Sequence, residues 1–225
     1  DTILISETGS GPFFSTSDLK HIEDADAAIC SLMPEPERAQ RIQRELAAAP
    51  RGPLQGVVFG VKDIFHVDGF PTTAGSALPV EELAGPEAAA VTLLCAAGAV
   101  VLAKTFSTEF AYLEPGPTRN PRNLEHTPGG SSSGSAAAVA AGHCPLALGS
   151  QTVGSVIRPA AFCGVVGYKP SYGRISTAGV IPLAESFDTV GLLASNISWA
   201  ARAAAVLCAS WRRDVVSHPP VLGLP

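Results

Sequence analysis

Short, unbroken apolar runs at residues 57–61, 99–103 and 145–148 restrict the fold of this chain more than any other feature. They are brief, and none alternates polar with apolar residues, so they read as strands buried on both faces. The stretch 86–98 is rich in Ala and Leu and closes on Gly98, which predicts a helix feeding the second strand. Upstream, residues 17–32 and 36–49 predict two helices, the second broken by Pro50, Gly52 and Pro53. This alternation predicts an α/β fold: a mixed β-sheet core with helices on both faces and functional loops at strand ends. No repeat, low-complexity tract or linker divides the 225 residues. One domain over 1–225 is expected, with 1–50 as a helical lead-in.

Composition narrows the function classes. The chain is 46% apolar and 16% charged, enough for a sizeable core, and its net charge of −5 comes from scattered acids and bases. No basic stripe offers a footprint for nucleic acid or an anionic membrane. The longest weakly polar stretch, 136–149, contains His143 and Pro145 and falls short of the roughly 20 apolar residues that cross a bilayer. The start of the chain lacks the basic and apolar segments of a secretory signal, so a cytoplasmic setting is expected. Five cysteines, widely spaced and without a C-x-x-C pair, predict reduced, mostly buried thiols rather than a disulfide scaffold or zinc site.

Residues 118–128, rich in Asn, Pro and Arg, predict an irregular connection into Gly129-Gly130-Ser131-Ser132-Ser133-Gly134-Ser135. A helix is predicted over 136–141, with Ser133 or Ser135 as its cap. A Gly/Ser loop opening onto a helix presents backbone N–H groups and hydroxyls at one point. A second Gly-rich turn covers 149–155.

Three catalytic readings compete for these segments. The run 130–134 fits G-x-S-x-G, with Asp188 and His218 following in hydrolase order. That pattern arises easily inside a Gly/Ser run, and His218 lies in a Pro-flanked tail with no strand to position it. Residues 98–105 approach a phosphate-binding loop, but Ala103 stands where the second Gly is needed, and Lys104 reads better as a strand-end lysine. The third reading joins Lys62, at the end of the first apolar run, with both Gly-rich segments.

In that combination the chain resembles the amidase signature family. The resemblance rests on residues 56–73, 99–110, the loop 129–135, Gly149-Ser150-Gln151-Thr152-Val153-Gly154-Ser155-Val156-Ile157-Arg158-Pro159-Ala160 and Ser186-Phe187-Asp188-Thr189-Val190-Gly191. It implies the amidase signature fold and a Ser-cisSer-Lys triad of Lys62, Ser131 and Ser155, with a cis peptide bond after Gly130. It implies a serine amidase that splits a small carboxamide to acid and ammonia through an acyl-enzyme. Ser155 would be the nucleophile, Ser131 the proton relay and Lys62 the base. Backbone N–H groups of Thr152, Val153, Gly154 and Ser155 would hold the oxyanion, while Gly130 and Ser132 support the loop. No metal or organic cofactor is required. The chemistry asks for a lysine without its charge, and burial among Val58, Phe59, Val61, Ile64 and Phe65 would lower its pKa.

Several positions depart from the family pattern. Arg158 lies one position later than in most members, a form similar to the subgroup that includes malonamidase. It is a candidate for a bidentate pair with a substrate carboxylate or for a structural ion pair with an internal acid. Val153 replaces a glycine, and a β-branched residue at φ > 0 is expected to strain the turn and crowd the oxyanion, so that Val153→Gly would raise turnover. Gln151 replaces an acid. Family members also continue beyond the equivalent of Pro225, so the chain reads as an N-terminal part, its fold incomplete at the C-terminus. Two rival functions stay open: a catalytically inert binding or interaction module, and a glutamine-amidase subunit handing ammonia to a partner. The resemblance also leaves room for a homo-oligomer.

Overall fold

The computed structural model describes residues 37–211. In chain order these form α1 (Glu37–Ala48), β1 (Val58–Lys62), α2 (Ala89–Ala96), β2 (Val100–Thr105), α3 (Ser133–Ala140) and β3 (Leu146–Gln151). Then come α4 (Ile157–Cys163), β4 (Val166–Tyr168), β5 (Thr189–Ala194) and α5 (Ile197–Leu207). The strands make one sheet in the order β2-β1-β3-β5-β4. β1 runs parallel to β2 and β3, and β5 runs antiparallel to β3 and β4, so the sheet is mixed as expected.

The apolar runs become strands for the reason their sequence suggests. Every residue of β1, β2, β3 and β5 is buried. Alternate side chains serve two layers. Phe59, Val61, Leu146, Leu148 and Leu192 pack with Val91 and Leu94 of α2 and with Ala203 and Leu207 of α5. Val58, Ala147 and Leu193 pack with Ile42 of α1, Ala137 of α3 and Ala160 of α4. Helices therefore cover both faces. A register shift between Phe59 and Gly60 sets Val61 opposite Lys104 and Lys62 opposite Thr105. Paired residues on neighbouring strands share a face, so the two strand-end lysines leave the sheet on opposite sides.

Several elements differ from their sequence assignments. The helix predicted over 17–32 lies outside the described residues, whereas α1 matches the one predicted over 36–49. α3 starts at Ser133, three residues before the predicted start, because its early hydroxyls have partners outside the helix. Ser133 Oγ donates to the Phe106 carbonyl at 3.4 Å and Ser135 Oγ to the Leu148 carbonyl at 2.8 Å. Neither serine is the cap; Ser132 occupies that position without a side-chain cap bond. β3 continues past the apolar run to Gln151, since Gly149, Ser150 and Gln151 pair with Gly191, Val190 and Thr189. Among the described residues no helix is long and apolar enough to cross a membrane.

β3 is the middle strand, and its Leu148 is fully buried. Leu148→Ala is expected to lower stability by about 2–5 kcal/mol through lost burial and a residual cavity. Urea denaturation should show a lower midpoint at an unchanged slope.

Candidate active site

α3 approaches the sheet through small side chains. A Cβ on residue 149 would stand 2.8 Å from Ser132 Oγ and 2.9 Å from Leu193 Cδ1, so only glycine allows this approach. Ser135 Oγ also meets Thr105 Oγ1 at 2.7 Å, which ties the helix to β2 as well as β3. Seated in this way, the start of α3 brings the 129–132 loop over the end of β1.

Lys62 emerges from that strand end with no exposed surface. Its Nζ lies 2.6 Å from Ser131 Oγ and 2.9 Å from Ser150 Oγ, with the Ser150 carbonyl farther off at 3.5 Å. Burial pulls its pKa from 10.5 down to about 7, while the negative charge of Asp188 pushes the other way without offsetting it. An amine so poised is largely uncharged just above neutrality and can take a proton from the hydroxyl it touches. The peptide bond between Gly130 and Ser131 is cis, as the resemblance implied.

Ser155 lies at the turn before α4, half-buried, with its carbonyl accepting the Ser132 N–H at 3.2 Å. Among the described residues its hydroxyl makes no hydrogen bond, so Lys62 and Ser131 are in direct contact and Ser155 is joined to them through backbone. Gln151 braces the turn between: its Oε1 accepts the N–H groups of Val156 at 2.9 Å and Ile157 at 3.0 Å, and its Nε2 donates to the Val153 carbonyl at 3.0 Å. The N–H groups of Thr152, Val153, Gly154 and Ser155 donate to no acceptor among the described residues. Grouped donors of this kind can hold an anion. From below, Thr152 Oγ1 bonds Asp188 Oδ1, whose other oxygen accepts from the N–H groups of Leu183 at 2.8 Å and Ala184 at 2.9 Å.

Residues 18–223 match the family model described as Amidase. The chain belongs to the amidase signature family. A glutamyl-tRNA(Gln) amidotransferase subunit of Methanosarcina barkeri is 46% identical over 189 residues, 80% of this chain and 39% of that protein. The native peptide amidase of Stenotrophomonas maltophilia superposes with a TM-score of 0.76 at 35% identity, covering 86% of this chain and 43% of that one. The K. lactis urea amidolyase gives 0.75 at 36% identity, covering 86% of this chain and 13% of that one. The chain thus spans 39% of the length of the first of these relatives.

Within this family frame, two expectations change. Val153 is not in the positive-φ region, and its side chain is 90% exposed, so it neither strains the turn nor crowds it. The valine side chain simply leaves toward solvent. Arg158 forms no ion pair with an acid among the described residues; its Nε and Nη2 clamp the Gly130 carbonyl at 3.0 and 2.8 Å. The guanidinium therefore braces the loop that carries Ser131. Ser132 also supports it, donating to the Ser150 carbonyl at 3.3 Å and accepting the Ser150 N–H at 3.4 Å. Lys104 is a strand-end lysine as read, but wholly buried and paired with Asp63 at 2.6 Å. Asp188 serves the turn rather than a histidine, and His218 lies outside the described residues.

Ser150 and the Asp188–Thr152 contact were not singled out from sequence. No pattern in the sequence marks Ser150: it lies in the polar end of β3, whose strand character comes from pairing with β5.

Lys62 makes stability depend on pH. Its folded pKa, about 7, lies below the unfolded value of 10.5, so between these the unfolded state holds a proton that the folded state lacks. Raising pH strips that proton from the unfolded chain and removes the penalty of burying the amine. Denaturation across pH 7 to 10 should show wild type gaining stability relative to Lys62→Met; a constant difference would mean Lys62 has an ordinary pKa.

Proposed function

We propose that the chain carries the hydrolytic centre of an amidase that cleaves the C–N bond of a small carboxamide. The observation that carries this reading is the buried Lys62 amine, 2.6 Å from the Ser131 hydroxyl and brought to a pKa of about 7. Ser155 Oγ attacks the amide carbon as its proton passes to Ser131, which gives its own to Lys62. The oxyanion rests on the N–H groups of the 152–155 turn. Collapse breaks the C–N bond, and the proton returns from Lys62 through Ser131 to the leaving nitrogen, which departs as ammonia. Water then attacks the Ser155 ester, loses its proton through the same relay, and releases the acid and the serine.

The substrate we favour carries a carboxylate. Arg158 keeps Nη1 without a partner among the described residues while Nε and Nη2 hold Gly130, so the two N–H groups of Nη1 remain for an anionic substrate group. The setting that accompanies this reading is cytoplasmic, with thiols Cys95, Cys144, Cys163 and Cys208 unpaired. A second reading draws on the 46%-identical relative, which is named as an amidotransferase subunit. In that case glutamine would be the amide and a partner subunit the recipient of ammonia.

An amide panel assayed for ammonia is expected to give turnover with wild type and none with Ser155→Ala, and a fluorophosphonate should label only the former. Labelling that persists in Ser155→Ala would remove Ser155 as nucleophile. Glutamine hydrolysis appearing only with an added partner subunit would favour the second reading.

Because Lys62 must be neutral to act, kcat/KM is expected to climb as pH rises through about 7 and then level. Val153→Gly should leave turnover within about twofold of wild type, since valine at 153 is 90% exposed and its bond to Gln151 is made by the backbone carbonyl. A large gain would restore the idea that valine obstructs the oxyanion.

A further inference from the structure

An ammonium group has three N–H donors and no acceptor, whereas a neutral primary amine has two donors and one lone pair. Lys62 Nζ faces three oxygens: Ser131 Oγ at 2.6 Å, Ser150 Oγ at 2.9 Å and the Ser150 carbonyl at 3.5 Å. A carbonyl can only accept. When the amine is neutral and its lone pair is to receive the Ser131 proton, both N–H groups must turn toward Ser150. One residue therefore supplies both remaining acceptors, one from its side chain and a longer one from its backbone.

We infer that Ser150 is a positioning residue for the amide reaction, its hydroxyl and carbonyl taking the two N–H groups of neutral Lys62 so that the lone pair points at Ser131. This rests on the proton-relay reading above and adds a member to it. The placement of Ser150 suits the task. Its backbone is fixed by pairing with Val190 in the sheet and by the two-way contact with Ser132 Oγ. Its side chain is largely buried, with about 8% of the residue exposed. Asp188 is the charged group acting on Lys62; its carboxylate oxygens are already engaged by Thr152, Leu183 and Ala184. Orientation of the amine thus falls to a neutral hydroxyl, which can accept an N–H bond without fixing a proton on the lysine as a carboxylate would.

Ser150→Thr and Ser150→Val test this, because the two added side chains have the same shape and differ in one hydroxyl. Two readouts separate the inference from the reading beneath it. The first is turnover: Ser150→Val should fall about tenfold or more below Ser150→Thr in kcat, with KM alike, as expected for a misaligned proton acceptor. The second needs no activity. With lysine labelled at Cε, the Lys62 titration midpoint should be lower in Ser150→Val than in Ser150→Thr, since the ammonium loses an acceptor that it needs. Equal midpoints in the two variants would overturn the role given to Ser150. If they are equal while Ser155→Ala and Lys62→Met still abolish ammonia release, the relay stands and only this inference falls. If the midpoints differ while Ser155→Ala keeps wild-type turnover, Ser150 orients the amine but the nucleophile was misassigned. Should the extra methyl unfold both variants, Ser150→Ala against wild type gives the same comparison of midpoints.

Discussion

An amine becomes a base only after it sheds its proton, and the surroundings of Lys62 make keeping that proton costly. The same sheet holds a second lysine, equally buried, that solves the problem in the opposite way. Lys104 sits against the Asp63 carboxylate at 2.6 Å, the arrangement that holds charge inside a protein. Lys62 is surrounded by hydroxyls and a carbonyl instead, which accept hydrogen bonds but bring no negative charge. The shift in register between Phe59 and Gly60 helps to separate the two by sending the lysines to opposite faces. Asp63, next to Lys62 in sequence, points away from it and is spent on Lys104 and Thr73.

The loop that meets Lys62 depends on close packing by small residues. Ala136, Ala137 and Ala138 of α3 are fully buried, and Gly149 leaves room beneath Ser132. In this dense contact most of the serines are structural: Ser132 holds Ser150, Ser133 reaches Phe106, and Ser135 joins Thr105 to Leu148. Ser131 alone among them reaches the lysine. A side chain at residue 149 would meet Ser132, so the seating of the helix is as much part of the site as the loop it carries.

This explains how much was legible in the sequence. The strands at 57–61 and 99–103 and the helix before the second showed themselves because burial on two faces leaves an unbroken apolar run. Lys62 and Ser131 were paired through the family resemblance, which joins a strand-end lysine to a Gly/Ser loop that neither pattern connects alone. The strand β5, the helix α4 and the polar end of β3 were not assigned, since β3 beyond Leu148 carries Gly, Ser and Gln, and its strand character comes from pairing with β5. The strained turn expected at Val153 and the internal ion pair considered for Arg158 failed for a related reason. Position alone does not tell which way a side chain leaves a turn, and here one folds back on the Gly130 carbonyl while the other leaves for solvent.

Gln151 shows what an amide can do in this turn that the acid it replaces could not. A carboxylate there could accept the N–H groups of Val156 and Ile157, but it could not also donate to the Val153 carbonyl. The amide does both, with one oxygen accepting twice and one nitrogen donating. The Val153 carbonyl is thereby pinned toward Gln151, and the N–H groups of 152–155 remain available to an incoming oxygen. A neutral side chain also keeps a negative charge away from those N–H groups, where it would oppose any anion that they hold.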